Sequence, residues 1–252
     1  MSARLASSRS PRRAERVEVR GKVALVTGAG VRVGQAIAEH LAAHGYTVAA
    51  HFHTHRPPRR FVALRADLAA PDGPAALARA FRERFSRLDL LVNSAAVFGQ
   101  RSAEETDAAF FDGQMALNAR APLLLTGALA ALLRRSRGAV VNVADVGGGI
   151  VPWSGWAAYC ASKAALVRIT ECLALELAPR VRVNAVAPGT ALWPEGYPAS
   201  VRRELTARIP LRRAGTPADV AEAVRYLAEA SYVTGVVLPV DGGRRLSGRG
   251  RG

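Results

Sequence analysis

Val23-Ala24-Leu25-Val26-Thr27-Gly28-Ala29-Gly30-Val31-Arg32-Val33-Gly34 is the stretch that decides the fold. Its first four residues are a short apolar run, long enough for a buried strand. The glycines that follow make a turn, and from Arg32 to His44 apolar residues recur at helical spacing until Gly45 stands at a C-cap position. The segment therefore reads as strand, glycine turn and helix.

Outward from it the same alternation continues. Residues 47–52, 61–65, 88–93, 139–144, 182–186 and 235–240 read as strands, and helical patterns cover residues 74–85, 110–134, 157–177 and 217–228. No internal repeat or inter-domain linker interrupts them. This order predicts an α/β fold, a single-domain Rossmann-type doubly wound parallel sheet with helices on both faces. One connection is unusual. Residues 52–60, with Pro57-Pro58, leave no room for a crossover helix, although nine residues stretched out span roughly 30 Å. The third strand is therefore expected to be locally exposed or covered by a neighbouring subunit.

The chain has 252 residues, half of them hydrophobic, which is enough for one large core. Its formal charge of +15 points first to nucleic acid, but the distribution argues otherwise. Residues 1–20 and 244–252 carry four net positive charges each, eight of the fifteen, and are expected to be a disordered basic arm and tail flanking a domain at 21–243. Arginine is everywhere, whereas lysine occurs only as Lys22 and Lys163. A lysine kept against that bias is informative. No signal-peptide run or bilayer-length apolar segment is apparent, so the protein is expected to be cytoplasmic with no membrane partner. Cys160 and Cys172 read as reduced thiols, and the histidines offer no metal-binding pair.

A glycine turn opening a helix lets backbone N–H groups approach a pyrophosphate. Gly28, Arg32, Val33 and Gly34 are the candidates here. A carboxylate after the second strand would favour NAD, but the sequence reads His51-Phe52-His53-Thr54-His55-Arg56, so His53, Thr54 and Arg32 point to the extra phosphate of NADPH. Asp67 and Leu68 follow the third strand and are placed to flank the adenine, or simply to form a turn.

Tyr159 and Lys163 are four apart, on one face of a helix. A phenol is a poor acid at neutral pH, and a neighbouring ammonium is expected to bring its pKa down. The pair gains meaning from the nucleotide turn, from Asn93-Ser94-Ala95-Ala96 ending the fourth strand, and from Asn118 on the long helix.

Residues 21–243 resemble the short-chain dehydrogenase/reductase family. The marks are Thr27-Gly28 with Gly34, Asp67, Asn93-Ser94-Ala95-Ala96, Asn118, Tyr159 with Lys163, Pro188-Gly189 and Val240-Asp241-Gly242-Gly243. The resemblance implies that Tyr159 donates the proton, Lys163 activates it and anchors a ribose, Asn118 keeps a water relay in place, Asn93, Ala95, Pro188 and Gly189 line the cofactor, and the protein is a homotetramer. Three departures look like the pteridine reductase branch. Asp145 replaces the usual serine after the fifth strand, Arg32 replaces a glycine of the turn, and Phe98 follows the fourth strand closely. Taken singly, Asp145 also reads as a cap, Arg32 as a phosphate clamp only and Phe98 as core. Ala96 stands where that branch tends to carry serine.

The resemblance thus implies an NADPH-dependent reductase acting on a C=N bond of a pterin, dihydropterin or dihydrofolate, with Asp145, Tyr159, Lys163 and Asn118 catalytic and Arg32, Phe98 and Trp193 at the substrate. Trp193 and Tyr197 fall where the family places a substrate lid. Two alternatives stand beside it: a carbonyl reductase acting on a 3-oxoacyl thioester or another ketone, and a non-catalytic nucleotide- or nucleic-acid-binding protein.

Overall fold

The computed structural model describes residues 16, 17, 19, 21–193 and 196–247. Among them seven strands form one parallel sheet: β1 (Lys22–Val26), β2 (Tyr46–Phe52), β3 (Val62–Arg65), β4 (Leu90–Asn93), β5 (Ala139–Val143), β6 (Arg182–Pro188) and β7 (Val237–Val240). Their order across the sheet is β3-β2-β1-β4-β5-β6-β7, so the chain winds outward in both directions from β1 and β4. That reversal opens a crevice at the carboxyl ends of the strands, where open α/β sheets bind ligands.

The helices are α1 (Arg32–Ala43), α2 (Gly73–Arg84), α3 (Ala108–Met115), α4 (Ala121–Ser136), the single turn α5 (Val146–Gly149), α6 (Ala157–Leu177), α7 (Ala199–Ala207) and α8 (Pro217–Glu229). Alternate strand residues face opposite sides. Ala24 and Val26 of β1 pack with Ile37, Leu41, Val220 and Val224 under α1 and α8, whereas Val23 and Leu25 pack with Leu77, Phe81, Leu129 and Leu173 under α2, α4 and α6. Both faces of the sheet are covered, so its strands read as nearly continuous apolar runs.

The predicted long helix runs unbroken from Ala108 to Ser136 but is not α-helical throughout. A π-helical turn, Ala116–Arg120, separates α3 from α4, and it holds Asn118. The stretch Ala108–Ser136 is long and apolar enough to cross a membrane, contrary to expectation, but 61% of its most apolar 18-residue segment is buried in this fold. The expected disordered tail also needs correction. Arg244–Leu246 form a 3-10 turn continuing the domain, since Asp241 accepts from the Arg245 N–H at 2.9 Å and pairs with its guanidinium at 3.0 Å. The rest of the predicted tail, and all of the predicted arm except Arg16, Val17 and Val19, lie outside the described residues.

The short β2–β3 connection leaves β3 thinly covered, as its length predicts: only Leu64 of its four residues is buried. The chain closes the α1 side itself. Phe61 is buried just before β3, the Arg60 guanidinium lies 4.9 Å from its ring centroid, and Arg60 reaches Glu39 of α1 at 2.8 Å. The ion pair is exposed and screened, whereas the ring fills space that a crossover helix would otherwise occupy. Phe61→Ala is therefore expected to lose about 3 kcal/mol in urea denaturation and Arg60→Ala less than about 1 kcal/mol.

Candidate active site

The site begins where β1 ends. Thr27 Oγ1 accepts the backbone N–H groups of Ser94 and Ala95 at 2.9 and 3.0 Å, which ties the ends of β1 and β4 together. Gly28 has a φ of 67°, and a Cβ there would lie 2.9 Å from Ala95 Cα; a Cβ on Gly34 would lie 2.2 Å from the Gly28 carbonyl oxygen. Both glycines are required for this close turn. Arg32, with a φ of 55°, holds the same left-handed region without being glycine. The N-cap of α1, Val31, supplies no capping side chain, and the first turn carries no acid. The helix thus presents free N–H groups and positive potential to the cleft, which suits a pyrophosphate.

His51 explains how that turn is braced. Its Nδ1 accepts the Gly28 N–H at 3.2 Å, and its Nε2 lies 3.2 Å from the Ala66 carbonyl, so one imidazole joins the turn to the segment after β3. Burial lowers its pKa to about 4, which keeps the ring neutral and able to accept. Donation from Nε2 to Ala66 fixes the tautomer.

At the other end of the cleft, Tyr159 Oη donates to Asp145 Oδ2 at 2.7 Å, and Asp145 Oδ1 accepts the Gly147 N–H at 2.7 Å. Asp145 is both cap and partner. Burial raises its carboxyl to about 6, against the pull of the Tyr159 hydrogen bond and of Lys163. Lys163 Nζ donates to the Val143 carbonyl at 2.9 Å, and burial lowers its pKa to about 8. The expected activation of the phenol by its lysine is reversed. Burial and the Asp145 anion both push the Tyr159 pKa up, so the side chain stays a neutral proton donor.

One cleft of about 900 Å³ joins the two ends. All the predicted site residues line it except Asn93 and Asn118. Those two are buried supports. Asn93 Nδ2 donates to Asn142 Oδ1 at 2.8 Å, and Asn118 binds the Val97 N–H and carbonyl as well as Ser162 Oγ at 2.9 Å. Asn118 thus holds the Val97-Phe98 segment onto α6. Phe98 is not core: it is 52% exposed, stacked on Trp156 with centroids 4.2 Å apart and set edge-on to Tyr159 at 4.9 Å. Trp193 stacks with Tyr197 at 6.0 Å on the facing side, ahead of α7; Pro194 and Glu195 of the predicted lid lie outside the described residues.

Sequence reasoning missed four residues of this site. Trp153 and Trp156 form an aromatic wall with Phe98 and Tyr159, and their signal was visible, because two of the chain's three tryptophans fall just ahead of Tyr159. His51 and Arg244 gave no such signal, since neither belongs to a local pattern.

Residues 28–245 match the family model described as enoyl-(acyl carrier protein) reductase. A 2-(R)-hydroxypropyl-CoM dehydrogenase of Xanthobacter autotrophicus is 35% identical over 245 residues, which cover 88% of this chain and 97% of the relative. A 2,5-dichloro-2,5-cyclohexadiene-1,4-diol dehydrogenase of Sphingobium indicum is 32% identical, covering 88% and 96%. A crystal structure described as a short-chain alcohol dehydrogenase, from Sinorhizobium meliloti 1021, superposes with a TM-score of 0.83 at 32% identity, covering 91% of this chain and 98% of that one. Identity at this level over nearly the whole length, on the same fold, makes this chain a member of the short-chain dehydrogenase/reductase family and, with it, a nicotinamide-dependent oxidoreductase.

Proposed function

We propose that this chain is an NADPH-dependent carbonyl reductase, in which Tyr159 protonates the oxygen of a ketone held against the aromatic wall. The observation that carries the reading is the Tyr159 hydroxyl, kept protonated and hydrogen-bonded to a second acid at the deep end of the cleft. The names of the relatives add weight, since both describe dehydrogenation of hydroxyl-bearing substrates. A pterin or dihydropterin is the second reading. It rests on Asp145 in place of the usual serine, because an acid and a phenol in series suit a ring nitrogen as well as an oxygen. The relatives support the carbonyl reading better.

The cofactor preference follows from charge. After β2 no acid faces the cleft, while His53, Thr54 and Arg32 do, and a carboxylate there would repel a 2'-phosphate. Gly28, Gly34 and the start of α1 would hold the pyrophosphate, and Lys163 and Tyr159 the nicotinamide ribose. When bound, the nicotinamide supplies the hydride. Residues of this chain supply the proton. While Asp145 is ionised it draws the Tyr159 proton toward itself. Once Asp145 is protonated, its O–H can donate to Tyr159 Oη and free the phenolic proton for the substrate. The substrate heteroatom gains one proton from Tyr159, Tyr159 regains one from Asp145, and Asp145 ends ionised. A homotetramer in the cytoplasm, with no nucleic-acid partner, completes the reading.

Two outcomes test it. The proton-loaded form of Asp145 is complete below its pKa of about 6 and falls tenfold for each pH unit above it. Ketone reduction should therefore decline above about pH 6, and Asp145→Ser should abolish that decline while keeping ketone turnover, because serine can donate to a carbonyl oxygen. Loss of dihydrobiopterin reduction by on the order of 100-fold in Asp145→Ser, with no ketone reduced by the parent, would establish the pterin reading instead. For the cofactor, Arg32→Gly relaxes a left-handed residue and leaves the fold intact, yet should raise the KM for NADPH on the order of 10-fold and leave that for NADH unmoved.

A further inference from the structure

Behind the aromatic wall lies a second, smaller cavity of about 170 Å³, lined by Gly147, Trp153 and Arg208 together with Arg244 and Arg245. Arg244 and Trp153, with Gly189 and Leu205, line both this cavity and the main cleft, so they form the partition between the two. The three arginines differ in what neutralises them. Arg208 pairs with Glu204 at 2.5 Å, and Arg245 pairs with Asp241 at 3.0 Å. Arg244 has no carboxylate partner among the described residues. Its guanidinium donates to Thr190 Oγ1 and lies 5.4 Å from the Trp153 ring centroid.

A guanidinium carries five N–H donors in a planar fork that fits an oxyanion, and a single hydroxyl acceptor leaves most of them unused. Half-buried beside an aromatic face, it is also less screened than a surface arginine. The charge is felt within the site, since Arg244 is among the groups drawing the Asp145 carboxyl down.

We infer that Arg244 is a specificity-determining residue that binds an oxyanion, a carboxylate or phosphate, carried by the substrate at the end remote from the bond being reduced. The inference rests on the reductase reading of the same cleft. It makes the preferred substrate an anionic ring compound, one end against Tyr159 and the other at the partition between the cavities.

Calorimetric binding to the full chain tests this without turnover. The probes are 4-acetylbenzoate, 4-acetylphenyl phosphate and the neutral methyl 4-acetylbenzoate, titrated into the parent, Arg244→Met and Arg244→Lys. The parent should bind at least one anion 10- to 100-fold more tightly than the ester, as for a hydrogen bond to a charged group; the tighter anion identifies the source. Arg244→Met should erase the preference and Arg244→Lys restore part of it. No measurable difference between anions and ester in the parent, or a preference that survives in Arg244→Met, would overturn the inference. So would a variant whose only change is a higher KM for NADPH, which would place Arg244 at the cofactor. If the anion preference holds while neither ketone nor dihydropterin is reduced, the reductase reading fails and the anion site stands.

Discussion

Strand ends must stay level for a crevice to exist at their carboxyl edge, and in this protein a buried chain of side-chain hydrogen bonds holds them so. Thr27 ties β1 to the residues after β4, Asn93 ties β4 to Asn142 of β5 at 2.8 Å, and Asn142 donates to Thr170 of α6 at 2.8 Å. All four side chains are buried, so each partner left alone would carry a desolvation cost of about 1–3 kcal/mol. These bonds therefore reinforce the register that the backbone ladder sets between β4 and β5, and Thr170 carries it into α6, from which Tyr159 and Lys163 project. Apolar packing alone would hold the layers together while allowing them to slide.

The same dry interior sets the chemistry. Asp145, Tyr159 and Lys163 share a volume in which each charged form is penalised, and the three respond differently. The carboxyl rises to about 6, the ammonium falls to about 8, and the phenol moves further from ionising. A raised pKa keeps the proton on Tyr159 but makes the phenol by itself a weaker acid, so its release to a substrate depends on the second acid that stands 2.7 Å away to replace it. The protonated form of this series is the one that serves reduction, in which the substrate must accept a proton, and its ionised form serves the reverse reaction.

Much of this was legible in the sequence. Alternating apolar runs and glycine turns depend on local chemistry, so strands, helices and the nucleotide turn could be read within a few residues of where they lie. Asp145 was legible too, because it departs from a pattern its neighbours keep. The rest depends on contacts between distant segments. His51 matters because β2 brings it beneath Gly28, and no local spacing records that. Asn93 and Asn118 could be singled out from the sequence, but whether they face the cleft or brace it depends on Asn142, Val97 and Ser162, each many residues away. The π turn at Asn118 arises inside an apolar helix whose composition gives no hint of it.

Phe98 limits what the cleft can hold. Trp156 occupies one of its faces at 4.2 Å and Tyr159 stands perpendicular to it at 4.9 Å, which leaves at most one face for a flat ring. The aromatic side chains therefore act as one wall whose members fix one another, and their rigidity has two effects. It keeps water from the Tyr159 hydroxyl, which strengthens every polar contact there. It also makes the wall a poor discriminator between a ring ketone and a C=N heterocycle, since both present a similar apolar face. Discrimination must then come from the polar groups at either end, from the proton chemistry of Asp145 at the reacting bond and from the charge of Arg244 at the far edge of the wall.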